Sequence, residues 1–181
     1  MYVKGVNATT LDDVRAASST SKSQLYQHFP DKDALVHSVI DARAGTLLEQ
    51  QGERLRRFNS IRGLERWRDS IVQANGLRNG AYGCPLGSLA GELADHDEVA
   101  RTALAGHFAS WEGLLADGFR RMRDSGVLRP DADPPTLATG LLAALQGGYL
   151  LAQAAHDAAP MRIALDMAIA QVKAHTTQPT S

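Results

Sequence analysis

The sequence predicts an all-α protein. Ala and Leu supply 28 and 22 of its 181 residues, whereas Val and Ile together supply only 14, so good helix formers far outnumber β-branched strand formers. Apolar residues recur every three or four positions through most of the chain, and the alternating pattern of a half-buried strand is missing. The length suits one compact domain or two small ones.

Two short helices are predicted first. Thr9 or Thr10 can cap a helix over about residues 10–17, because a side-chain hydroxyl satisfies free N–H groups at a helix start. The small polar residues Ser18-Ser19-Thr20 then interrupt this helix, and the next helix covers about residues 22–28.

A third helix begins near Lys32 and has the charged stretch Glu53–Arg57 at its exposed end. Five more helices follow, and capping residues, glycine or proline mark where they begin or end. These positions are Ser60, Asp95 or Asp97, Gly126, Asp133 with Pro134, and Pro160.

A change in composition between about residues 45 and 60 predicts a domain boundary. We place an N-terminal domain at residues 1–50 and a C-terminal helical domain at residues 51–175. Residues 176–181 are polar, and we expect them to form a disordered tail.

The net charge of −1 gives no indication of a partner, and the lone cysteine, Cys84, cannot form an intramolecular disulfide. The sequence after Met1 has no signal-peptide pattern, so we expect a cytoplasmic protein. The 23 residues Pro134–His156 carry no charge and are long enough to span a bilayer. Because glycine, proline, glutamine and alanine make up much of this run, we expect a helix buried in a core or against another subunit, and no membrane partner.

The order of short helix, polar break, short helix and longer helix is that of a helix-turn-helix with its supporting helix. Ser21 lies at the start of the second helix, where free N–H groups approach phosphates or base edges. Gln24 has the groups to contact adenine bidentately, and Lys22 has the reach to contact guanine. Tyr26 and His28 follow one turn later and can donate to phosphate oxygens.

Three segments resemble the DNA-binding domain of the tetracycline-repressor (TetR) family of bacterial transcription regulators. They are Thr9-Thr10-Leu11-Asp12-Asp13-Val14, Ser21-Lys22-Ser23-Gln24-Leu25-Tyr26-Gln27-His28-Phe29 and Lys32-Asp33-Ala34-Leu35. The resemblance implies phosphate contacts that position the protein and base contacts that select the sequence. The phosphate contacts would come from Thr10, Tyr26, His28 and Lys32. The base contacts would come from Lys22, Ser23 and Gln24, and the candidate DNA-binding set also includes Ser21 and Gln27.

Each of these side chains also has an ordinary structural role. Thr10 is a helix cap in either case, and Tyr26 could be a half-buried core aromatic. His28 could be a surface histidine, and Lys32 a solvated charge.

The sequence departs from the family pattern in two places. Ser18-Ser19-Thr20 stands where the family usually has Ala-Gly-Val, so Ser19 must adopt a turn conformation that glycine takes easily. The family also has a first helix upstream, and Met1 falls where that helix would end. Without that helix we expect weaker folding of the domain and lower DNA affinity. The charges of residues 1–35 sum to zero, although DNA-binding modules usually carry surplus positive charge.

The later helices predict a bundle, and a space between bundle helices is a usual site for an apolar ligand. The candidate effector-pocket residues are Trp67, Ile71, Leu89, Leu93, Phe108, Trp111, Leu115 and Tyr149. In the resembled family the last two helices pair with their counterparts in a second copy. The candidate dimer residues are Gly140, Ala144, Gly147, Met161, Leu165, Ala168 and Val172. Ordinary packing within one subunit is the alternative for both sets.

These features predict a homodimeric transcriptional repressor that binds palindromic operator DNA and is released by a small apolar effector. The alternative is a ligand-binding helical protein that has lost DNA binding through the absence of the first helix. The sequence has no Gly-rich phosphate loop, nucleophile elbow or H-E-x-x-H pattern. We therefore expect no catalysis, no metal and no cofactor.

Overall fold

A computed structural model of the protein describes residues 5–177, which form eight α-helices and, outside them, one isolated bridge between Leu128 and Thr176. The helices are α1 (Leu11–Ser18), α2 (Lys22–His28), α3 (Lys32–Leu55), α4 (Ile61–Gly76), α5 (Pro85–Leu93), α6 (Glu98–Asp124), α7 (Pro134–Ala155) and α8 (Ala159–Lys173). The predicted all-α fold is confirmed. Four predicted caps each accept a hydrogen bond from the backbone N–H three residues on, and they are Thr10, Ser21, Ser60 and Asp133.

The chain forms two compact units. The first unit contains the residues up to Leu47 together with Pro85–His107, and the second contains Leu48–Cys84 together with the residues from Phe108 onward. The division after Leu47 lies close to the predicted boundary at residue 50. The structure differs from the predicted domain over residues 51–175, because α5 and the start of α6 belong with the N-terminal helices.

Long-range polar contacts explain this difference in the first unit. Glu92 Oε2 on α5 accepts the N–H of Val6 at 2.7 Å, across 86 residues of sequence. His37 Nε2 on α3 lies 2.8 Å from Oδ2 of Asp97, across 60 residues. Helical periodicity reports only neighbours within a few turns, so it could not indicate either contact.

The second unit has a core built around α6, α7 and α8. Trp111 and Phe119 on α6 are fully buried. Helices α7 and α8 approach closely because Gly148 has no side chain. A Cβ added at Gly148 would lie 2.9 Å from the Cα of Met161.

Phe58 fixes the end of α3 in the second unit. Its ring is 2% exposed and packs edge-on against the ring of Phe119, with the centroids 5.2 Å apart. Arg121 Nη2 donates to the carbonyl oxygens of Leu55 at 2.8 Å and Phe58 at 3.0 Å. Arg121 thus bonds to the last carbonyl of α3 and to one in the turn that follows, and the Leu55 carbonyl also accepts the N–H of Phe58 at 3.0 Å.

Helix α7 has the length and composition to cross a membrane, with a mean hydropathy of 1.2 in its most apolar window. Within that window 39% of the residues are buried inside the protein. The buried side includes Leu141, Leu145 and Gly148, and α7 packs closely against α8 at Gly148.

The beginning of the predicted disordered tail is ordered. Thr177 donates its N–H to the carbonyl of Val127 at 3.1 Å and its hydroxyl to the carbonyl of Gly126 at 2.7 Å. Order therefore extends at least two residues beyond the predicted boundary at residue 175. Residues 178–181 of that tail lie outside the described residues.

Gly118 tests the packing around Phe58. A Cβ at Gly118 would overlap the Phe58 ring, so we expect Gly118→Ala to lower the free energy of unfolding by about 1–3 kcal/mol. Gly113 lies on the same helix with nothing within 4 Å of an added Cβ. Gly113→Ala should therefore raise the free energy of unfolding by about 0.5–1 kcal/mol. Urea unfolding followed by circular dichroism measures both, and equal shifts in the two variants would contradict this packing.

Asp97 caps the start of α6, and its environment makes its contribution to stability depend on pH. Its Oδ1 accepts the N–H of Ala100 at 2.9 Å, and its Oδ2 contacts His37. The Ala100 N–H and, next, His37 hold the pKa of Asp97 below its ordinary value. A lowered folded pKa means that the stabilisation is present above the unfolded pKa and is lost as the pH falls through the folded pKa.

We expect Asp97→Ala to lower the free energy of unfolding by about 1 kcal/mol at neutral pH, because the helix loses its cap. The difference from the unchanged protein should shrink as the pH falls below about 4, the unfolded pKa, and on through the lower folded pKa. Asp97→Asn is the control, since asparagine caps helices almost as well and should lose less stability. A difference that stays constant from neutral to acid pH would refute this account of Asp97.

Candidate DNA-binding site

Helix α2, the predicted recognition helix, has seven residues and is fixed at both ends. Ser21 Oγ accepts the N–H of Gln24 at 3.2 Å, and Gln24 Oε1 accepts the N–H of Ser21 at 2.9 Å. This reciprocal pair is a capping box. At the other end the N–H of Phe29 donates to the carbonyl of Leu25 at 2.9 Å, and the Leu25 side chain is buried. The remaining side chains of α2 are exposed.

The turn before α2 has the geometry that the sequence requires of it. Ser19 has φ 56° and ψ 26°, the left-handed conformation that glycine takes most easily. The prediction for Ser19 is confirmed. The hydroxyls of Ser18 and Thr20, on either side of Ser19, lie 2.7 Å apart and hydrogen-bond to each other. At the start of α1, Thr10 forms a second capping box with Asp13.

A polar cleft of about 370 Å³ opens in the first unit beside α1, α2 and the start of α3. It brings together four of the predicted DNA-binding residues, which are Thr10, Lys22, Tyr26 and Lys32. Their positions in sequence span more than 20 residues, and the helix-turn-helix geometry gathers them around one space. Tyr26 is 44% exposed, so it is a surface aromatic and not a core residue.

The cleft carries positive charge. Lys22 and Lys32 make no ion pair with any carboxylate among residues 5–177. Lys22 Nζ lies 5.9 Å from the centroid of the Tyr26 ring, and Lys32 Nζ lies 3.5 Å from the carbonyl oxygen of Asn7. Arg15 also lines the cleft and is paired with Asp12 at 2.6 Å. Two unpaired ammonium groups beside hydroxyl donors form a surface suited to phosphate oxygens.

The other predicted DNA-binding residues, Ser21, Ser23, Gln24, Gln27 and His28, are exposed on or next to α2. Gln24 is more restricted than the sequence suggested. A bidentate contact with adenine needs both the amide oxygen and the amide nitrogen. Oε1 already accepts the N–H of Ser21, so the capping box uses one of its two lone pairs and restricts its orientation.

The other residues that line the cleft were not in the predicted DNA-binding set, and they are Asn7, Thr9, Leu11, Asp12 and Arg15. Leu11 lines the cleft, and Arg15 follows it by four residues on α1, so the two lie on the same side of that helix. That spacing was a signal for Arg15. Asn7 precedes the first helix, and no periodicity marks it.

The candidate effector-pocket residues are divided between the two units. Leu89 and Leu93 lie on α5 in the first unit, and the other six lie in the second. Leu89 lines an apolar cavity of about 300 Å³ with Val14 and Leu35, all within the first unit. In the second unit the indole N–H of Trp111 is buried without a hydrogen-bond partner among residues 5–177.

The candidate dimer residues need a correction. Met161, Leu165 and Val172 are at most 1% exposed because they pack inside their own subunit, so they offer no surface to a second copy. Ala144 and Ala168 are half-buried. Gly140 and Gly147 are exposed on α7, and an added Cβ at either would meet nothing within 4 Å.

Both parts of the chain match family models. Residues 1–39 match a model described as bacterial regulatory proteins, tetR family, and residues 61–168 match one described as tetracyclin repressor-like, C-terminal domain. The chain is 27% identical over 159 residues to an HTH-type transcriptional regulator in the lacX 3′ region of Lactococcus lactis, covering 87% of this chain and 79% of that protein. It is 26% identical over 149 residues to the HTH-type transcriptional repressor DhaR of Mycobacterium sp. strain GP1, covering 81% and 73%.

Solved structures share the fold. The chain superposes on reduced NemR of E. coli with a TM-score of 0.82 at 19% identity, covering 99% of this chain and 93% of that one. It superposes on a cysteine mutant of CifR, a TetR family regulator complexed with 26-bp double-strand operator DNA, with a TM-score of 0.79 at 21% identity, covering 93% and 89%.

Proposed function

Since the chain belongs to the tetracycline-repressor (TetR) family of transcription regulators, we propose that it is a repressor that leaves its palindromic operator when a small effector binds. The observation that carries the proposal is the cleft that holds Thr10, Lys22, Tyr26 and Lys32 together. The operator-bound CifR structure has the same fold, which favours the same use of α2 here. The alternative of a ligand-binding protein without DNA binding is not favoured, because these candidate DNA-contact groups are present; Thr10, Lys22 and Tyr26 are exposed and Lys32 is half-buried.

The cleft would bind the DNA backbone, and α2 would contact the bases. Lys22 and Lys32, with the hydroxyls of Thr10 and Tyr26, hold phosphate oxygens and position α2 at the major groove. Ser23 and the amide nitrogen of Gln24, on the first turn of α2, face the base edges. While Oε1 takes part in the cap, the amide nitrogen of Gln24 donates to an acceptor on a base, such as N7 of a purine.

Dimerisation would use the outward faces of α7 and α8. Each helix has an exposed uncharged stripe, although Arg162 and Asp166 are also exposed on α8. The stripe residues are Gly140, Ala143, Gly147, Leu150, Leu151 and Ala154 on α7 and Ile163, Met167 and Ala170 on α8. Leu150, Ile163 and Met167 are 60–70% exposed, which is costly for large apolar side chains that remain in water. A two-fold interface here presents two copies of α2 to a palindrome.

The effector would bind in the second unit and carry at least one hydrogen-bond acceptor. Two buried donors there have no partner among residues 5–177, and they are Trp111 Nε1 and Gln146 Nε2. A buried donor without a partner costs free energy that a bound acceptor restores. An effector with an apolar body and a carbonyl or carboxylate oxygen suits these groups better than a wholly apolar one.

The curated relatives named above are transcriptional regulators, so we propose a non-catalytic role in the cytoplasm without a metal or cofactor. Effector binding shifts the protein toward a conformation in which the two recognition helices no longer match the half-sites.

DNA binding tests the proposal. Selection from a random duplex pool should yield a palindrome, and the full chain should bind it with an affinity that falls steeply with salt. Lys22→Ala and Lys32→Ala should each weaken binding and reduce the slope of log affinity against log salt by about 1, because each removes a phosphate contact. Arg101→Ala is the control, since Arg101 is paired with Glu98 on α6 and should leave the slope unchanged. If no duplex is enriched, the proposal fails.

Lysine substitutions test the dimer face. Leu150→Lys combined with Met167→Lys should convert the dimer to a monomer in size-exclusion chromatography with light scattering, because charge repels across a two-fold interface. Leu77 is 83% exposed and lies after α4, outside this face. Leu77→Lys should leave the dimer intact. A monomeric unmodified protein, or a dimeric double variant, would rule out this interface.

A further inference from the structure

The second unit contains a cleft that differs in chemistry from the DNA-binding site. Its volume is about 330 Å³, and it lies where the end of α3 meets α4. Three arginines, Arg54, Arg57 and Arg66, line it together with Phe58 and Trp67. Its lining residues lie more than 20 positions after Lys32 in the sequence, and none of them lines the polar cleft beside α2.

The three arginines are exposed and lack carboxylate partners. None of their guanidinium groups makes an ion pair or hydrogen bond with any residue between 5 and 177. The acidic side chains on α4 are used elsewhere. Glu65 pairs with Lys173 at 2.7 Å, and Asp69 pairs with Arg68 at 2.8 Å.

The surrounding sequence increases this positive charge. Residues 54–68 contain six arginines and one glutamate, although the chain as a whole has a net charge of −1. The guanidinium of Arg121 adds a further cation at the end of α3, where it donates to the carbonyls of Leu55 and Phe58. Like charges this close repel one another, and a bound anion removes that repulsion.

The floor of the cleft is apolar. Phe58 and Trp67 are 2% and 4% exposed, so only small parts of their rings face the space. The indole N–H of Trp67 donates to Oε1 of Gln51 at 3.0 Å, and the hydroxyl of Ser70 donates to the carbonyl of Trp67 at 2.8 Å. Because these donors are occupied, the guanidinium groups are left to recognise a polar ligand group.

We infer that this cleft binds a small organic carboxylate with a short apolar body. A carboxylate accepts paired N–H bonds from arginine, and an apolar body covers the floor that Phe58 and Trp67 provide. The volume is at the small end of ligand pockets, which limits the ligand to a compact molecule. A nucleic-acid backbone offers anionic oxygens but no apolar group for this floor. The assignment does not depend on DNA binding or on the effector proposed for Trp111 and Gln146.

Calorimetric titration of the full chain with four probes tests this inference. Benzoate has both the carboxylate and the apolar body, benzamide lacks the charge, acetate lacks the body, and inorganic phosphate is an anion of different geometry. We expect benzoate to bind at least tenfold more tightly than each of the other three. If benzamide binds as tightly as benzoate, the arginines do not select the ligand. If acetate or phosphate binds as tightly as benzoate, the apolar floor does not select it. Either result would overturn the assignment.

Matched variants locate the binding. Replacing Arg54, Arg57 and Arg66 together by glutamine should weaken benzoate binding at least tenfold. The control replaces Arg62, Arg78 and Arg162, which are exposed arginines of the same unit outside the cleft, and has the same change in net charge. It should retain benzoate binding.

Circular dichroism spectra and thermal unfolding establish that both triple variants are folded, as expected for exposed side chains. Unchanged benzoate binding in the cleft variant, or equal loss in the control, contradicts the assignment. Failure of the unmodified protein to bind benzoate also contradicts the assignment. If the cleft variant then loses affinity for a random-sequence duplex, the three arginines form a nucleic-acid surface.

Discussion

The seven residues of α2 must be held in one helical conformation, and the candidate DNA-binding site depends on this constraint. A helix this short is not stable by itself in water, so its ends and its one buried side chain must stabilise it. Ser21 and Gln24 cap the start, the Phe29 N–H closes the end, and Leu25 anchors the inner face. Gln24, which we propose contacts a base, is therefore also part of the cap.

The helices and their starts could be predicted because caps, glycine and proline act locally. Thr10, Ser21, Ser60 and Asp133 each bond a backbone N–H three residues on, so a short window contains the whole interaction. Exposure of the α2 side chains follows from helical periodicity in the same way. Periodicity also showed that α8 has an apolar stripe, but it could not tell what covers that stripe. Met161, Leu165 and Val172 face their own subunit, whereas Ile163 and Met167 face outward.

Contacts between distant parts of the sequence account for what could not be predicted. Glu92 joins the first unit because it accepts the Val6 N–H, and Asp97 joins it through His37. Nothing in the local sequence around α5 distinguishes these bonds from those of a helix in the second unit. The sequence did not predict the cleft beside α2, although four of the predicted DNA-binding residues line it. Its helical members have spacings that indicate a shared face, whereas Asn7 is placed by the chain before α1.

Net charge is a poor guide to the partners of this protein, because positive side chains cluster in particular clefts and the sum over the chain does not show this. At physiological ionic strength exposed charges are largely screened beyond about 8–10 Å, so an anion responds to the groups around one cleft and not to the whole chain. Among residues 5–177, Lys22 and Lys32 have no carboxylate partner, and neither do Arg54, Arg57 and Arg66. Many acidic groups are instead paired with other cations, as Asp12 is with Arg15 and Glu65 with Lys173. A chain with a net charge of −1 therefore presents two positive clefts, and their different linings, one hydroxylic and one apolar, favour different anions.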